Sequence, residues 1–502
     1  MIPINYAQLL RLALPEVIVV ATALIVMAVD LLVLRRRTTH TRFTVAAGIA
    51  SLGCIGAILR ILFSPEVSNV LNGTLIANPL THLVQIALLV LTVFTLLLSV
   101  NSTFTEHVGE FILLILFATV GMMFLVGTQD LLVIFISLEL LSLSLYILAA
   151  FNKRSARSWE AALKYFLFGG MSAAFLLFGF SFLYGLSNST NLPQIAAAIH
   201  GPALNPLLVI AIVTTAIGLG FKVAAVPFHF WAPDVYQCAP APSAAFIASG
   251  SKVASFFLFF QVMALGFAGS EGALTFPHLV RGWVPVLALM AVASMLLGNL
   301  VAVVQTSLRR LLAYSAIAHA GYMLLAIIAH TEQSLAALLY YVFTYALATI
   351  GVFAVISVVE EKRGDDQLLN FNGLSRQAPL LSFSLAIFIL SLAGIPPLAG
   401  FFAKFYLFVS VLAASSGSAS FLWLVAFALA MSAVSLYYYL QVLKRVYVSA
   451  PDEDAEAINA PIFKQIVIAV LAAAVVLLGC APQLPLYWLL SAIHVAGLTV
   501  NM

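Results

Sequence analysis

Apolar runs of about 20 residues recur from one end of the chain to the other, separated by short polar joints. They lie near 14–34, 43–63, 79–100, 110–128, 130–150, 160–186, 206–228, 242–268, 281–304, 309–330, 334–359, 380–413, 420–447 and 462–480. As a helix, each is long enough to cross a hydrocarbon core about 30 Å thick. None shows the strict alternation of polar and apolar residues that barrel strands require. The pattern predicts an all-α polytopic membrane protein with about 14 transmembrane helices. A further apolar tail at 485–499, holding His494, is too short for another span.

Two of the runs are interrupted. The seventh carries Pro227, with Pro233 and Asp234 just beyond it. The twelfth carries Gly394-Ile395-Pro396-Pro397 and then Gly400 before a second apolar piece. Proline removes a backbone donor and clashes with the preceding turn, so Pro227, Pro396 and Pro397 mark broken helices. Broken helices at corresponding points of two halves are a feature of inverted-repeat transporters. Residues 110–268 and 281–448 each read as a five-helix unit whose fourth helix is broken. Five is odd, so the second unit must cross the membrane inverted. Residues 1–109 add three helices in front, 449–502 add a last helix and tail, and all belong to one membrane domain. The halves share little residue identity, so this repeat is read from breaks and charges.

Composition agrees with a membrane chain: 63% of the 502 residues are hydrophobic, 8% are charged and mean hydropathy is +1.11. The placement of charge says more than the net value. Sixteen of the 22 lysines and arginines fall on one side if the spans alternate: Arg35, Arg36, Arg37, Arg42, Lys153, Arg154, Arg157, Lys164, Arg309, Arg310, Lys362, Arg363, Arg376, Lys444, Arg445 and Lys464. By the positive-inside rule that side is the cytoplasm, which puts both termini outside a bacterial-type inner membrane. The first span, with Glu16, Asp30 and the basic run after it, reads as retained and not as a cleaved signal.

Four ionisable residues interrupt otherwise apolar stretches: Glu139, Lys222, Lys252 and Lys404. A charge at bilayer depth costs about 2.5–3.5 kcal/mol on insertion scales, so such residues are expected to handle ions or protons. Glu139 sits between Ser137 and Ser142, and Ser142 shares its helical face. A proton-carrying glutamate tuned by an amine competes there with a structural ion pair or a polar helix contact. Lys222 follows Gly218 and Gly220 and precedes the Pro227 break, where a loosened helix admits water; snorkelling to the interface is the alternative. Lys252, among Ser249, Ser251 and Ser255, has no acid within a turn and suits a relay position in a wetted cavity, or packing against a freed carbonyl. Lys404 lies one turn after Gly400, in the helix equivalent to that of Lys222. His319 is either a neutral relay between two lysines or a satisfied polar contact. Lys164 either joins the Glu139 network or marks the cytoplasmic edge. His229 and Asp234 are expected to order the first break, and Tyr437–Tyr439 to pack at the interface.

Cys54, Cys238 and Cys480 are isolated, which argues against a disulfide framework or a cysteine-held cluster. No phosphate-binding loop or dinucleotide fingerprint occurs, and the histidines do not form facing pairs for a haem. No cofactor or redox centre is therefore expected in this chain, and its energy must come from a partner or an existing gradient. Its expected surroundings are the lipid bilayer and other membrane subunits, with no nucleic acid.

The segments SLELLSLSLYIL, GFKVAAVPFHFWAPDVYQCAPAPSAAFIASGSKVASF, RRLLAYSAIAHAGYML and LSLAGIPPLAGFFAKFYLF resemble the antiporter-like membrane subunits of respiratory complex I, the proton-pumping NADH–quinone oxidoreductase. The resemblance spans roughly 110–448. It implies that Glu139 and Lys222 form a pair, that Lys252 is a central lysine and Lys404 a terminal one, and that together they form a hydrophilic axis carrying protons. It implies partners too: further membrane-arm subunits, including a second antiporter-like subunit, with quinone, FMN and Fe–S clusters held by other subunits. Lysine at 404, where one sibling branch usually carries glutamate, and the chain's end at Met502 favour one branch of the family. Gln237-Cys238 departs from the family's usual Glu-Gly, which removes an acidic group from that loop. The function expected is proton translocation coupled to quinone reduction elsewhere. The rivals are a subunit of a multi-subunit Na⁺/H⁺ antiporter and a purely structural membrane-arm subunit.

Overall fold

The computed structural model describes residues 6–63, 68–70, 73–199, 205–274, 279–415, 421–450, 458 and 460–497. Most of the joint between the last two spans and the end of the apolar tail lie outside them. The helices begin with α1 (Tyr6–Leu12), α2 (Leu14–Leu32), α3 (Thr39–Leu62), α4 (Pro79–Ser99), α5 (Val108–Val126), α6 (Leu131–Ala149) and α7 (Ala156–Ser187). They continue with α8 (Leu192–Ile199), α9 (Pro206–Val223), α10 (Trp231–Cys238), α11 (Ala241–Ala248), α12 (Gly250–Gln261), α13 (Trp283–Val303) and α14 (Leu308–Ala329). The last are α15 (Glu332–Arg363), α16 (Leu374–Gln377), α17 (Pro379–Ala393), α18 (Ala399–Ala413), α19 (Leu422–Tyr447), α20 (Ile462–Cys480) and α21 (Gln483–Val495). Among the described residues 13 spans are long and apolar enough to cross a membrane, and the shorter α17 and α18 make up one more. The expected all-α polytopic architecture is therefore present. Two small antiparallel hairpins in the joints add to it: β1 (Ser68–Val70) with β2 (Leu75–Ala77), and β3 (Ala273–Leu274) with β4 (Leu279–Val280). The described part of the apolar tail is mostly the largely exposed helix α21.

Polar residues at the joints set the helix ends. Asn78 and Thr331 form capping boxes at the starts of α4 and α15. Asp130, Ser155, Asn205 and Ser307 accept backbone amides at the starts of α6, α7, α9 and α14. Burial sorts the helices into a centre and a rim. α11, α12, α14 and α15 are almost wholly enclosed, whereas α7 and α19 turn much of their surface outward. A charged side chain on a central helix is thus surrounded by protein, and must find its partners there.

Both predicted breaks are present. α9 stops at Val223, where Ala224 turns left-handed (φ 60°), and a cis Val226–Pro227 bond leads to α10. α17 stops at Gly394 (φ 89°), and a cis Pro396–Pro397 bond leads to α18. A third break, which the sequence reading did not contain, divides the expected span 242–268. α11 ends at Ser249, whose backbone leaves helical geometry (φ −118°, ψ −85°), and α12 restarts at Gly250. Here Ser249 Oγ donates to the Ala245 carbonyl and Ser251 Oγ to that of Ile247, a back-bonding pattern that bends helices.

Candidate functional site

Lys252 sits three residues past that third break. It is buried, and its Nζ donates to the Ala316 carbonyl of α14 at 3.1 Å. The ring of Tyr345, on α15, lies 5.6 Å from the same ammonium. His319 is one turn from Ala316 on α14. Its Nδ1 meets the Tyr341 hydroxyl at 2.9 Å and its Nε2 meets that of Tyr439 at 3.1 Å. The rings of Tyr345 and Tyr322 pack against it at 5.0 and 5.8 Å. Tyr322 in turn lies 5.4 Å from Lys404 Nζ, which donates to the carbonyl of Ala393, the last residue of α17, and to Ser432 Oγ, both at 2.9 Å. Lys252, Tyr345, His319, Tyr322 and Lys404 therefore follow one another through the bundle interior, each 5.0–5.8 Å from the next by ring centroid.

The other end of the expected axis is arranged differently from the expectation. Lys222 lies in the last turn of α9 and donates to Ser142 Oγ, not to Glu139; no ion pair joins the two. Ser142 is three residues beyond Glu139 on α6, so a hydroxyl stands where a direct carboxylate–ammonium contact was expected. Tyr146 and Phe221 flank the ammonium, each ring centroid 5.7 Å away. Glu139 and Lys222 are half-buried in the isolated chain, whereas Lys252, Lys404 and His319 are buried. Lys404 also departs from a strict mirror of Lys222: Lys222 precedes its break and Lys404 follows the other.

Lys164 is an edge residue and makes no contact with Glu139. Its Nζ lies 2.7 Å from Glu160 and 2.9 Å from Asp234. Asp234 also accepts from Arg310 Nη1 at 2.9 Å, so the short α10 is tied to α7 on one side and α14 on the other. Burial alone would raise the Asp234 carboxyl, but the hydrogen bonds from Lys164 and Arg310 outweigh it and hold it below the usual carboxylate range. Arg309 ties the far end of α10. Its Nη1 donates to the Ala239 carbonyl at 2.7 Å and to that of Gln237 at 3.3 Å, and its Nη2 pairs with Glu360. His229, expected to help order the same break, stacks on Phe230, and its Nδ1 has no partner. Lys464, assigned to a cytoplasmic joint, is buried and pairs with Glu361.

Sequence reasoning missed the tyrosines. Tyr437–Tyr439 was expected to pack at the interface, and Tyr437 is exposed. Tyr438 and Tyr439 face inward, however: Tyr438 donates to Asn299 Oδ1 at 3.1 Å, and Tyr439 bonds Ser315 as well as His319. The available signal was the four-residue spacing of Tyr341 with Tyr345 and of Ser315 with His319, which puts each pair on one helix face.

Such a bundle, built around interior cations and their hydroxyl partners, defines a multi-pass membrane protein with a buried polar axis. Residues 128–432 match the family described as NADH:quinone oxidoreductase/Mrp antiporter, TM, and the chain belongs to that family. It is 53% identical to NADH-quinone oxidoreductase subunit N 2 of Acidobacterium capsulatum, over 97% of this chain and 99% of the relative. It is 35% identical to NADH-quinone oxidoreductase subunit N of Nitrosomonas europaea, over 96% and 97%. Subunit N is one of the two branches that lysine at 404 favours. In fold, the chain resembles one in respiratory complex I from Thermus thermophilus with bound aureothin, at 33% identity and a TM-score of 0.77 over 94% of this chain and 98% of that one. A chain of the Mrp complex from Dietzia sp. DQ12-45-1b matches at 20% identity and a TM-score of 0.79 over 98% of both, a likeness of fold alone.

Proposed function

We propose that this chain is a proton-translocating membrane subunit of a proton-pumping NADH–quinone oxidoreductase. The observation that carries this is the buried succession Lys252–Tyr345–His319–Tyr322–Lys404, with Lys222 held on Ser142 one turn from Glu139. The partners of the three ammonium groups are neutral hydroxyls and carbonyls. The cost of each charge therefore depends on whether its neighbours are charged, and in a low-dielectric interior that coupling is strong. A change at one end alters proton occupancy along the row. Glu139, Lys222, Lys252 and Lys404 carry protons, with His319 bridging Lys252 and Lys404.

The driving change comes from quinone reduction in neighbouring subunits, which also hold the FMN and Fe–S clusters. A second antiporter-like subunit and other membrane-arm subunits are the partners, and both termini face the non-cytoplasmic side of the inner membrane. The five-helix units 110–268 and 281–448 are inverted repeats. Their opening hairpins support this. A Cβ placed on Gly121 of α5 would come within 2.9 Å of the Leu141 amide and 3.0 Å of the Ser137 carbonyl on α6. One placed on Gly298 of α13 would come within 2.5 Å of the Ala318 amide and 2.8 Å of the Tyr314 carbonyl on α14. The two glycines have the same sequence spacing to their contacts. In that register Ser142, the acceptor for Lys222, corresponds to His319.

The Na⁺/H⁺ antiporter alternative fits the site less well. A hard cation takes oxygen ligands, and the row offers three ammonium groups and an imidazole against one carboxylate. The test is Lys222→Ala and Lys252→Ala in the assembled complex, measured in membrane vesicles. The expected result is fewer protons pumped per electron delivered to quinone. Pumping and quinone reduction that both persist at wild-type levels would make the row structural.

A further inference from the structure

One face of α15 links the bundle surface to the centre of the row. Near its C-terminal end, Ser357 and Glu360 line an open cavity of about 430 Å³, together with Gln237, Ala239 and Arg309. Counted inward by fours, the same face presents Ser357, Phe353, Thr349, Tyr345 and Tyr341. Tyr345 lies against Lys252 and His319, and Tyr341 bonds His319. The register is thus polar from cavity to relay except at one position. Phe353 is fully buried there, edge-on to Tyr236 at 6.0 Å, with the Arg309 guanidinium 5.8 Å over its ring.

Around this step two buried hydroxyls, those of Tyr236 and Ser243, have no hydrogen-bond partner. Ser243 adjoins Pro242, which lines the cavity. An unpartnered buried hydroxyl loses the hydrogen bonds it would make in water, and native interiors contain few. Two near one apolar plug, with the Thr349 hydroxyl next inward on the same face, mark a path that water completes when the plug moves. Hydroxyls and water both donate and accept protons, whereas a phenyl ring does neither. A path left open would let protons leak back through the row, so a mobile apolar step is what pumping requires.

We infer that this face of α15 is the entry route from the cytoplasmic cavity to Lys252, and that Phe353, seated between Tyr236 and Arg309, is its gate. The inference rests on the proton-relay reading. It is tested in the assembled complex, in inverted membrane vesicles, with Cys238→Ser as background because Cys238 lines the cavity. Ser357→Cys is expected to react with a charged, membrane-impermeant methanethiosulfonate reagent while Phe353 is intact. Thr349→Cys is expected to react several-fold faster when combined with Phe353→Ala. Equal reaction of Thr349→Cys in both backgrounds overturns the gate. Phe353→Ala should also raise passive proton leak several-fold. Thr349→Val, which keeps shape and removes the hydroxyl, should lower protons per electron without slowing quinone reduction, and it tests the route even if Phe353→Ala does not assemble. If Lys252→Ala stops pumping while the Phe353 and Thr349 variants change neither leak, labelling nor pumping, the relay stands and the gate is refuted. If Lys252→Ala pumps normally, the relay fails and the route falls with it.

Discussion

Replacing Gly298 by alanine should be destabilising although alanine is the better helix former. The added methyl would sit 2.5 Å from the Ala318 amide and 2.8 Å from the Tyr314 carbonyl, both backbone atoms that no rotamer change can move. Ordinary carbon contacts need about 3.5 Å, so α13 and α14 must separate by about 1 Å. Overpacking of this kind costs about 1–3 kcal/mol, against a propensity gain of about 0.5–1 kcal/mol. The net expectation is a loss of up to about 2.5 kcal/mol. Gly121→Ala, with its nearest backbone contact at 2.9 Å, should lose less. Gly48→Ala in α3, with nothing within 4 Å, should gain about 0.5–1 kcal/mol. Equilibrium unfolding of the full chain in detergent micelles by added SDS, followed by tryptophan fluorescence, gives the ranking. The displacement also reaches the row, because Ala318 adjoins His319: moving α14 by about 1 Å takes the 3.1 Å His319–Tyr439 bond beyond hydrogen-bonding range. Gly298→Ala should therefore also pump fewer protons per electron. A Gly298→Ala chain as stable as Gly48→Ala would refute the close approach of α13 and α14, and with it the matched hairpins behind the repeat.

Two further outcomes follow from the polar contacts. Tyr439→Phe leaves Ser315 and His319 without their shared hydroxyl and should cost about 1–3 kcal/mol and reduce pumping, while Tyr437→Phe, on an exposed residue, should change neither; equal effects in the two would refute a supporting role of the Tyr439 hydroxyl for His319. Asp234→Asn should loosen α10 by about 1 kcal/mol, a modest value because the Lys164 side chain is 42% exposed. The folded Asp234 carboxyl lies below its unfolded value, so its contribution is present above about pH 4 and is lost as pH falls through the folded value. Stability measured from pH 7 down to pH 3 should show wild type and Asp234→Asn converging at the acid end, and parallel curves would refute the ion pairs.

The sequence alone determined the spans, two of the three breaks and the ionisable residues within them. These are local properties: a helix crosses a bilayer when enough consecutive residues are apolar, and proline breaks it wherever it stands. The break at Ser249 was harder to see, because serine back-bonding bends a helix only when the hydroxyl has no better partner, and that depends on what packs around it. Tertiary structure decided the partners. Lys222 meets Ser142 and not Glu139, because α7, which packs against both α6 and α9, sets the two helices so that the hydroxyl reaches the ammonium. His319 gains its two hydroxyls from α15 and α19, the latter 120 residues away along the chain. In the bilayer no hydrophobic force distinguishes one helix neighbour from another; close packing at small residues and interhelical hydrogen bonds do so. Composition can thus announce that buried charges exist, but only the packed bundle fixes which hydroxyl, carbonyl or ring each one meets.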